Sequence, residues 1–194
     1  MGAARLRIGA AAIFVAAGLW EGGHGVYIHA KAELAQQLMN RAWEETRSSG
    51  RPVPPWRWAD TWPVARLRVP ALGVDQIVLH GETGNVLAFA PGLVSGSAEP
   101  GQPGRVVVSG HRDTHFRFLE RLVPGDILLL ERADGRTIRY RVTGRRIFDV
   151  RAPGSPPYPK SAGLSLVTCY PFDALVPGGP LRFLVDARTA DVRP

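Results

Sequence analysis

The chain has 194 residues, enough for one domain with a real core plus an appendage. Hydrophobic residues make up 45%, and 22 glycines with 17 prolines favour many short strands joined by tight turns over a helical bundle. The net charge of +7 is nearly all arginine, scattered through strand-like segments. With no helix-turn-helix pattern, zinc-finger spacing or aromatic RNA-binding signature, that charge reads as solvated surface near anionic lipid, with no nucleic-acid partner. The single cysteine, Cys169, excludes an internal disulfide, and by itself it could be no more than a small buried apolar residue.

In chain order, Arg5 and Arg7 precede an uncharged apolar run from Ile8 to Trp20. That run is short of the roughly 20 residues needed to cross a bilayer. Extension through Ile28 reaches the length, with Glu21 and His24 near an interface. The expectation is an uncleaved, single-pass anchor over residues 1–30, with a cleavable signal peptide as the alternative. Arginine before the run and Glu21 after it put the N-terminus in the cytoplasm and the rest of the chain outside the inner membrane. Residues 31–61 are expected to form a solvated helical stalk over 31–47, ended by Ser48-Ser49-Gly50, and then a Pro/Trp-rich linker. Trp56, Trp58 and Trp62 in the linker are expected to pack on the outside of the following domain.

From Val64 the pattern is β. Val64 to Val69 alternates, Pro70 breaks it, and Val74 to His80 resumes. Arg105 to Ser109, Asp126 to Glu131, Thr137 to Val150, Leu164 to Cys169 and Leu181 to Asp186 follow. Ala133-Asp134-Gly135 is a hairpin turn, and Phe116 to Leu122 a short helix. Seven or eight short strands with this spacing predict an all-β, closed or nearly closed barrel over residues 62–194.

Three residues suited to cysteine-based acyl transfer fall at strand ends. Cys169 closes SLVTC, His111 follows VVVSG, and Arg182 opens LRFLVD. A thiolate attacks, a histidine handles the proton of the leaving amine, and an arginine can bond a developing oxyanion. The types alone are common; the surrounding sequence is specific. GLVSGSAEPGQPGRVVVSGHRDTHFRFLERLVPGD resembles the stretch around the catalytic histidine of the sortases. SLVTC resembles their threonine-leucine-x-threonine-cysteine motif, with Ser165 in the first place, and LRFLV resembles their arginine-bearing strand. The resemblance spans roughly Trp62 to Arg188 and looks most like the single-copy sortases of Gram-negative bacteria.

The resemblance implies a closed eight-stranded β-barrel and an LPxTG-like sorting signal at the C-terminus of a protein substrate. Cys169 would form the thioacyl-enzyme, and His111 would protonate the departing amine and deprotonate the incoming one. Arg182 would hold substrate and oxyanion, Thr168 would help shape the oxyanion site, and Tyr170 could line the acyl pocket. An amine on peptidoglycan or a protein would resolve the intermediate. The catalytic domain would lie in the periplasm, as a monomer by default. No cofactor is implied. His111 and His115 form H-x-x-x-H without the glutamate of a zincin, so no metal is expected, and the loops lack an acidic cluster for calcium. The competing readings are a peptidoglycan L,D-transpeptidase or amidase, whose histidine-glycine-cysteine stretch is absent here, and a non-enzymatic anchored binding module.

Overall fold

The computed structural model describes residues 2–154, 156–176 and 178–190, without the side chains of residues 2–13 and 15–17. The chain forms two compact units, residues 1–37 and 38–194. Helix α1 runs over Gly2–Ser49 and ends where Gly50 turns to a φ of 68°, its N–H bonded to the Thr46 carbonyl at 3.0 Å. Among the described residues no helix is long and apolar enough to cross a membrane. Most side chains of the Ile8 to Trp20 run expected to anchor the chain lie outside the described residues.

Eight strands form the second unit: β1 Pro63–Val69, β2 Val74–His80, β3 Gly92–Leu93, β4 Arg105–Ser109, β5 Ile127–Arg132, β6 Thr137–Asp149, β7 Gly163–Cys169 and β8 Leu181–Thr189. They close in the order β1-β2-β3-β4-β7-β8-β6-β5, so no sheet edge remains open. The alternation seen in sequence is the alternation of the barrel wall. In β1, Ala65, Leu67 and Val69 are buried in the interior, while Arg66 and Arg68 face outward and pair with Asp75 and Glu131, each at 2.8 Å. Val106, Val108, Leu128, Leu130, Tyr140, Leu164, Leu166 and Val185 fill the same core. Phe116, Leu119 and Leu122 join it from the segment after β4, where the expected helix is a short 3₁₀ turn at Arg117–Arg121.

Strand β3 was not among the expected strands. Its two residues bridge parallel β2 and antiparallel β4, pairing Gly92 with Leu79 and with Ser109. A Cβ at Gly92 would sit 2.0 Å from the Gly81 carbonyl oxygen, so only glycine permits this approach.

Residues 31–47 are helical and mostly exposed, as expected of a stalk, but the far end is not fully solvated. Met39 and Trp43, near the end of α1, are fully buried with Ile77 and Leu79 on the outer face of β2 and with Val86 and Ala90 around a short helix α2, Gly84–Leu87. Burying each such side chain contributes about 1.5–3 kcal/mol, which outweighs the polar character of the other helix face. In the linker, Trp56 meets Phe89 edge-on at 4.9 Å, and Trp62 stacks on His80 at 4.1 Å, as expected of outer core contacts. Trp58 does not; it is 84% exposed.

Candidate active site

Strand order places the three chemistry-bearing residues together. β7 lies between β4 and β8. In the antiparallel β7–β8 ladder Cys169 is directly paired with Arg182. Opposite residues in such a ladder have Cα atoms about 4.5–5.5 Å apart. The parallel β4–β7 ladder runs in register to Ser109 opposite Val167, and His111 follows Ser109 by two residues as Cys169 follows Val167. Two further bonds carry that alignment past the last ladder pair. The Gly110 N–H donates to the Val167 carbonyl at 3.2 Å, and the Thr168 hydroxyl donates to the Gly110 carbonyl at 2.6 Å. Arg182 is thus the β8 neighbour of Cys169, and His111 lies just past the end of β4, the strand on the other side of β7.

Side-chain alternation settles the face. Leu164 and Leu166 point into the core, whereas Val167 packs with Val107 and Leu184 in a separate apolar cluster on the outer wall, bordered by Val94, Phe148 and Tyr158. Cys169 and Arg182 share the outward parity of Val167 and Leu184. The thiol is half-buried and the imidazole exposed. Arg182 commits one nitrogen, Nη1, to the carbonyls of Gly179 (2.6 Å) and Leu181 (2.9 Å). Nε and Nη2 make no bond among the described residues, leaving one side of the guanidinium fork for a second acceptor.

Thr168 and Tyr170 face the other way. Thr168 is buried, and its hydroxyl joins β7 to the residue before His111. The Tyr170 ring packs with Phe172 and Phe183, at 6.1 and 6.2 Å, beside a cavity of about 370 Å³ lined also by Glu120, Arg145 and Ile147.

Gly110 is required by close approach. A Cβ there would lie 2.8 Å from Cγ of Phe116, a fully buried ring that has nowhere to move. Gly110→Ala is expected to destabilise the fold by about 1–3 kcal/mol in urea titration and to lower peptide turnover, since the ring and His111 are linked by the Phe116 N–H to His111 carbonyl bond of 2.8 Å.

Sequence reasoning missed two arginines. Arg112 is buried and donates to the carbonyls of Ala174 and Val176 in the β7–β8 loop. Arg105 donates to the Pro159 and Ser161 carbonyls of the β6–β7 loop and to the Ser165 hydroxyl, which in turn donates to Asp186 at 2.7 Å. Arg146 also pairs with Asp186. Burial pushes the Arg105 guanidinium down from its ordinary pKa, with Asp186 opposing that shift. Nothing in a lone arginine codon signals burial, so only the fold reveals these tethers.

His115 is held below the ordinary histidine range, first by burial and then by the neighbouring His111, with Asp113 opposing. The unfolded chain therefore binds a proton at His115 before the folded one does, and stability falls as pH drops below about 6.5. His115→Gln is expected to flatten that part of the stability profile, measured by urea midpoints from pH 7.5 to 5. An unchanged slope would remove His115 from it. Among the described residues no group of histidine, cysteine, aspartate or glutamate is disposed to hold a metal ion.

A half-buried thiol paired with an arginine that keeps a free edge is an arrangement suited to cysteine-based acyl transfer. The Sortase domain family model matches residues 67–190, and the chain belongs to the sortase family. It is 30% identical to Sortase D of Bacillus subtilis over 120 residues, 61% of this chain and 60% of that protein. It is 27% identical to Sortase SrtE1 of Streptomyces coelicolor over 181 residues, 82% of this chain and 48% of that one. Sortase A from Corynebacterium diphtheriae shares the fold, with a TM-score of 0.60 and 26% identity over 72% of this chain and 66% of that chain. The chain spans less than two thirds of the length of each of these relatives. The expected likeness to the Gram-negative single-copy sortases finds no support in these comparisons.

Proposed function

We propose that this chain is a sortase transpeptidase that cleaves an LPxTG-like sorting signal and passes the acyl group to an amine. Cys169 attacks the scissile carbonyl, and the carbon–nitrogen bond breaks to leave a thioacyl-enzyme. His111 gives the departing amine its proton and later takes one from the incoming amine. The free side of the Arg182 fork bonds the oxyanion. Thr168 acts through its bond to Gly110, keeping the histidine segment level with the thiol, and Tyr170 walls the site from behind. The observation that supports the proposal is the pairing of Arg182 with Cys169 in the β7–β8 ladder, with β4, which leads to His111, along the other side of β7.

The acyl donor is a protein with a C-terminal sorting signal, and the acceptor is an amine of peptidoglycan or of another protein. Residues 1–30 anchor the chain in the inner membrane with the N-terminus in the cytoplasm, residues 31–61 lead from it, and residues 62–194 act outside, in the periplasm if the cell is Gram-negative. The anchor rests on the apolar run Ile8 to Trp20 and the arginines before it.

The full chain, incubated with an LPxTG-like peptide, is expected to gain the mass of the acyl fragment on Cys169 and lose it when an amine is added. Adducts formed only with peptidoglycan stem peptides would assign a different transpeptidase, and none with either class would leave a binding module. Arg182→Lys keeps the charge but loses the planar fork that reaches loop and oxyanion together. It is expected to lower turnover ~100- to 1000-fold with the thiol still alkylated by iodoacetamide. Near-normal turnover would mean that the residue supplies charge only.

A further inference from the structure

We propose that Arg112 is a positioning residue for this reaction, tethering the β7–β8 loop to the histidine-bearing turn so that Arg182 stays aligned with Cys169. The inference rests on the assignment of His111, Cys169 and Arg182 as the reacting set.

Arg112 directly follows the exposed His111, yet it is only 8% exposed. Its Nη2 donates to the Ala174 carbonyl at 2.7 Å and to the Val176 carbonyl at 3.3 Å. No carboxylate pairs with it among the described residues. A buried guanidinium is tolerated only where hydrogen bonds replace its water, and bonds from a charged donor are about twice as strong as neutral ones. Here loop carbonyls supply that replacement.

The loop has little structure of its own. Among its described residues from Tyr170 to Pro180 there is no helix or strand, and Ala174 N–H bonds the Pro171 carbonyl at 3.4 Å. Several of its other carbonyls accept from arginines, while Pro180 accepts from the Val150 N–H and Leu181 also from the Tyr170 N–H, each at 3.0 Å. Phe172 accepts from Arg117 at 3.1 Å, Ala174 and Val176 accept from Arg112, and Gly179 and Leu181 accept from Arg182. The loop therefore hangs between the β4 side and the β8 side of the site. Arg182 takes its own bearing from the loop's last carbonyls. Pro180 and Leu181 stay held by Val150 and Tyr170, so releasing the Arg112 end frees residues 172–176 and loosens the Gly179 carbonyl, the shorter of the two bonds that orient the Arg182 guanidinium.

The strands that carry Cys169 and Arg182 are held by their own packing, the Val107, Val167 and Leu184 cluster included, and not by the loop. Ground-state binding of the peptide is then retained while transition-state alignment is lost, which lowers kcat and spares KM.

The test compares wild type, Arg112→Ala and Arg112→Lys in the full chain. Steady-state kinetics with an LPxTG-like peptide and an amine are measured alongside amide hydrogen exchange and the rate of Cys169 alkylation. Arg112→Ala is expected to lower kcat about 10- to 100-fold, the scale of an ångström-level misplacement, with little change in KM. Exchange is expected to rise in residues 172–179 but not in β4, β7 or β8, and alkylation is expected to stay near wild type. Arg112→Lys, able to reach one carbonyl, is expected to recover part of both signals. An unchanged kcat, unchanged exchange in the loop, or exchange rising throughout the barrel overturns the proposal. If wild type itself turns over no peptide, the transpeptidase assignment fails and the positioning role fails with it, while loop exchange still decides whether Arg112 is a tether.

Discussion

Cys169→Ala is expected to leave the barrel folded and to abolish acyl transfer, by a factor on the order of 10⁴ to 10⁶ if a residual rate can be measured at all. The two halves of that expectation have separate causes. The side chain is only half-buried and makes no hydrogen bond among the described residues, so replacing the sulfur with hydrogen leaves no large cavity and no orphaned partner. The backbone N–H and carbonyl that hold β7 between β4 and β8 are untouched. Chemistry, by contrast, has no substitute nucleophile: within the segment 163–169 the neighbouring hydroxyls of Thr168 and Ser165 are turned to Gly110 and Asp186. Thermal melting within a few degrees of wild type, together with loss of the peptide adduct by mass spectrometry, would fulfil the prediction. Peptide–amine ligation by the alanine variant would end the assignment of the thiol.

Most of the barrel was legible because its wall repeats a two-residue pattern that sequence displays directly. Ala65, Leu67 and Val69 inward against Arg66 and Arg68 outward is one instance, and the Asp134-Gly135 turn is another. Strand β3 was not legible, because two residues carry no periodicity; Gly92 is there for the space it leaves beside Gly81. The burial of Trp43 was missed for a different reason. An apolar stripe on a helix does not say what it faces, and its partners Ile77 and Leu79 lie on the outer side of a strand whose inner side already fills the core. The same limit hid Arg112 and Arg105. Arginine is ordinarily a surface residue, and only the loop carbonyls that converge on these two make their burial possible. The sequence placed Cys169, His111 and Arg182 at strand ends; in the fold Cys169 closes β7, Arg182 stands second in β8 and His111 lies two residues past β4, while the pairing of Cys169 with Arg182 is a property of the closed sheet that no single segment displays.

His111→Ala is expected to reduce peptide turnover about 10²- to 10⁴-fold, and the loss should depend on the leaving group. An amide nitrogen leaves poorly until it is protonated, so the amide bond of a sorting signal needs the imidazole at the breakdown of the first tetrahedral intermediate. A peptide ester with a good leaving alcohol does not. With such an ester, acylation of Cys169 by the alanine variant should recover much of the wild-type rate, whereas resolution by an amine, which must shed a proton as it attacks, should stay slow. The acyl-enzyme is then expected to accumulate and to be visible by mass spectrometry. The position of His111 permits both steps. It is exposed to solvent, and Gly110 before it is held to β7 by Val167 and Thr168, as a group that must meet first a departing and then an arriving amine requires. Equal losses on amide and ester would instead assign His111 to generating the thiolate, because that function precedes any difference between the two substrates.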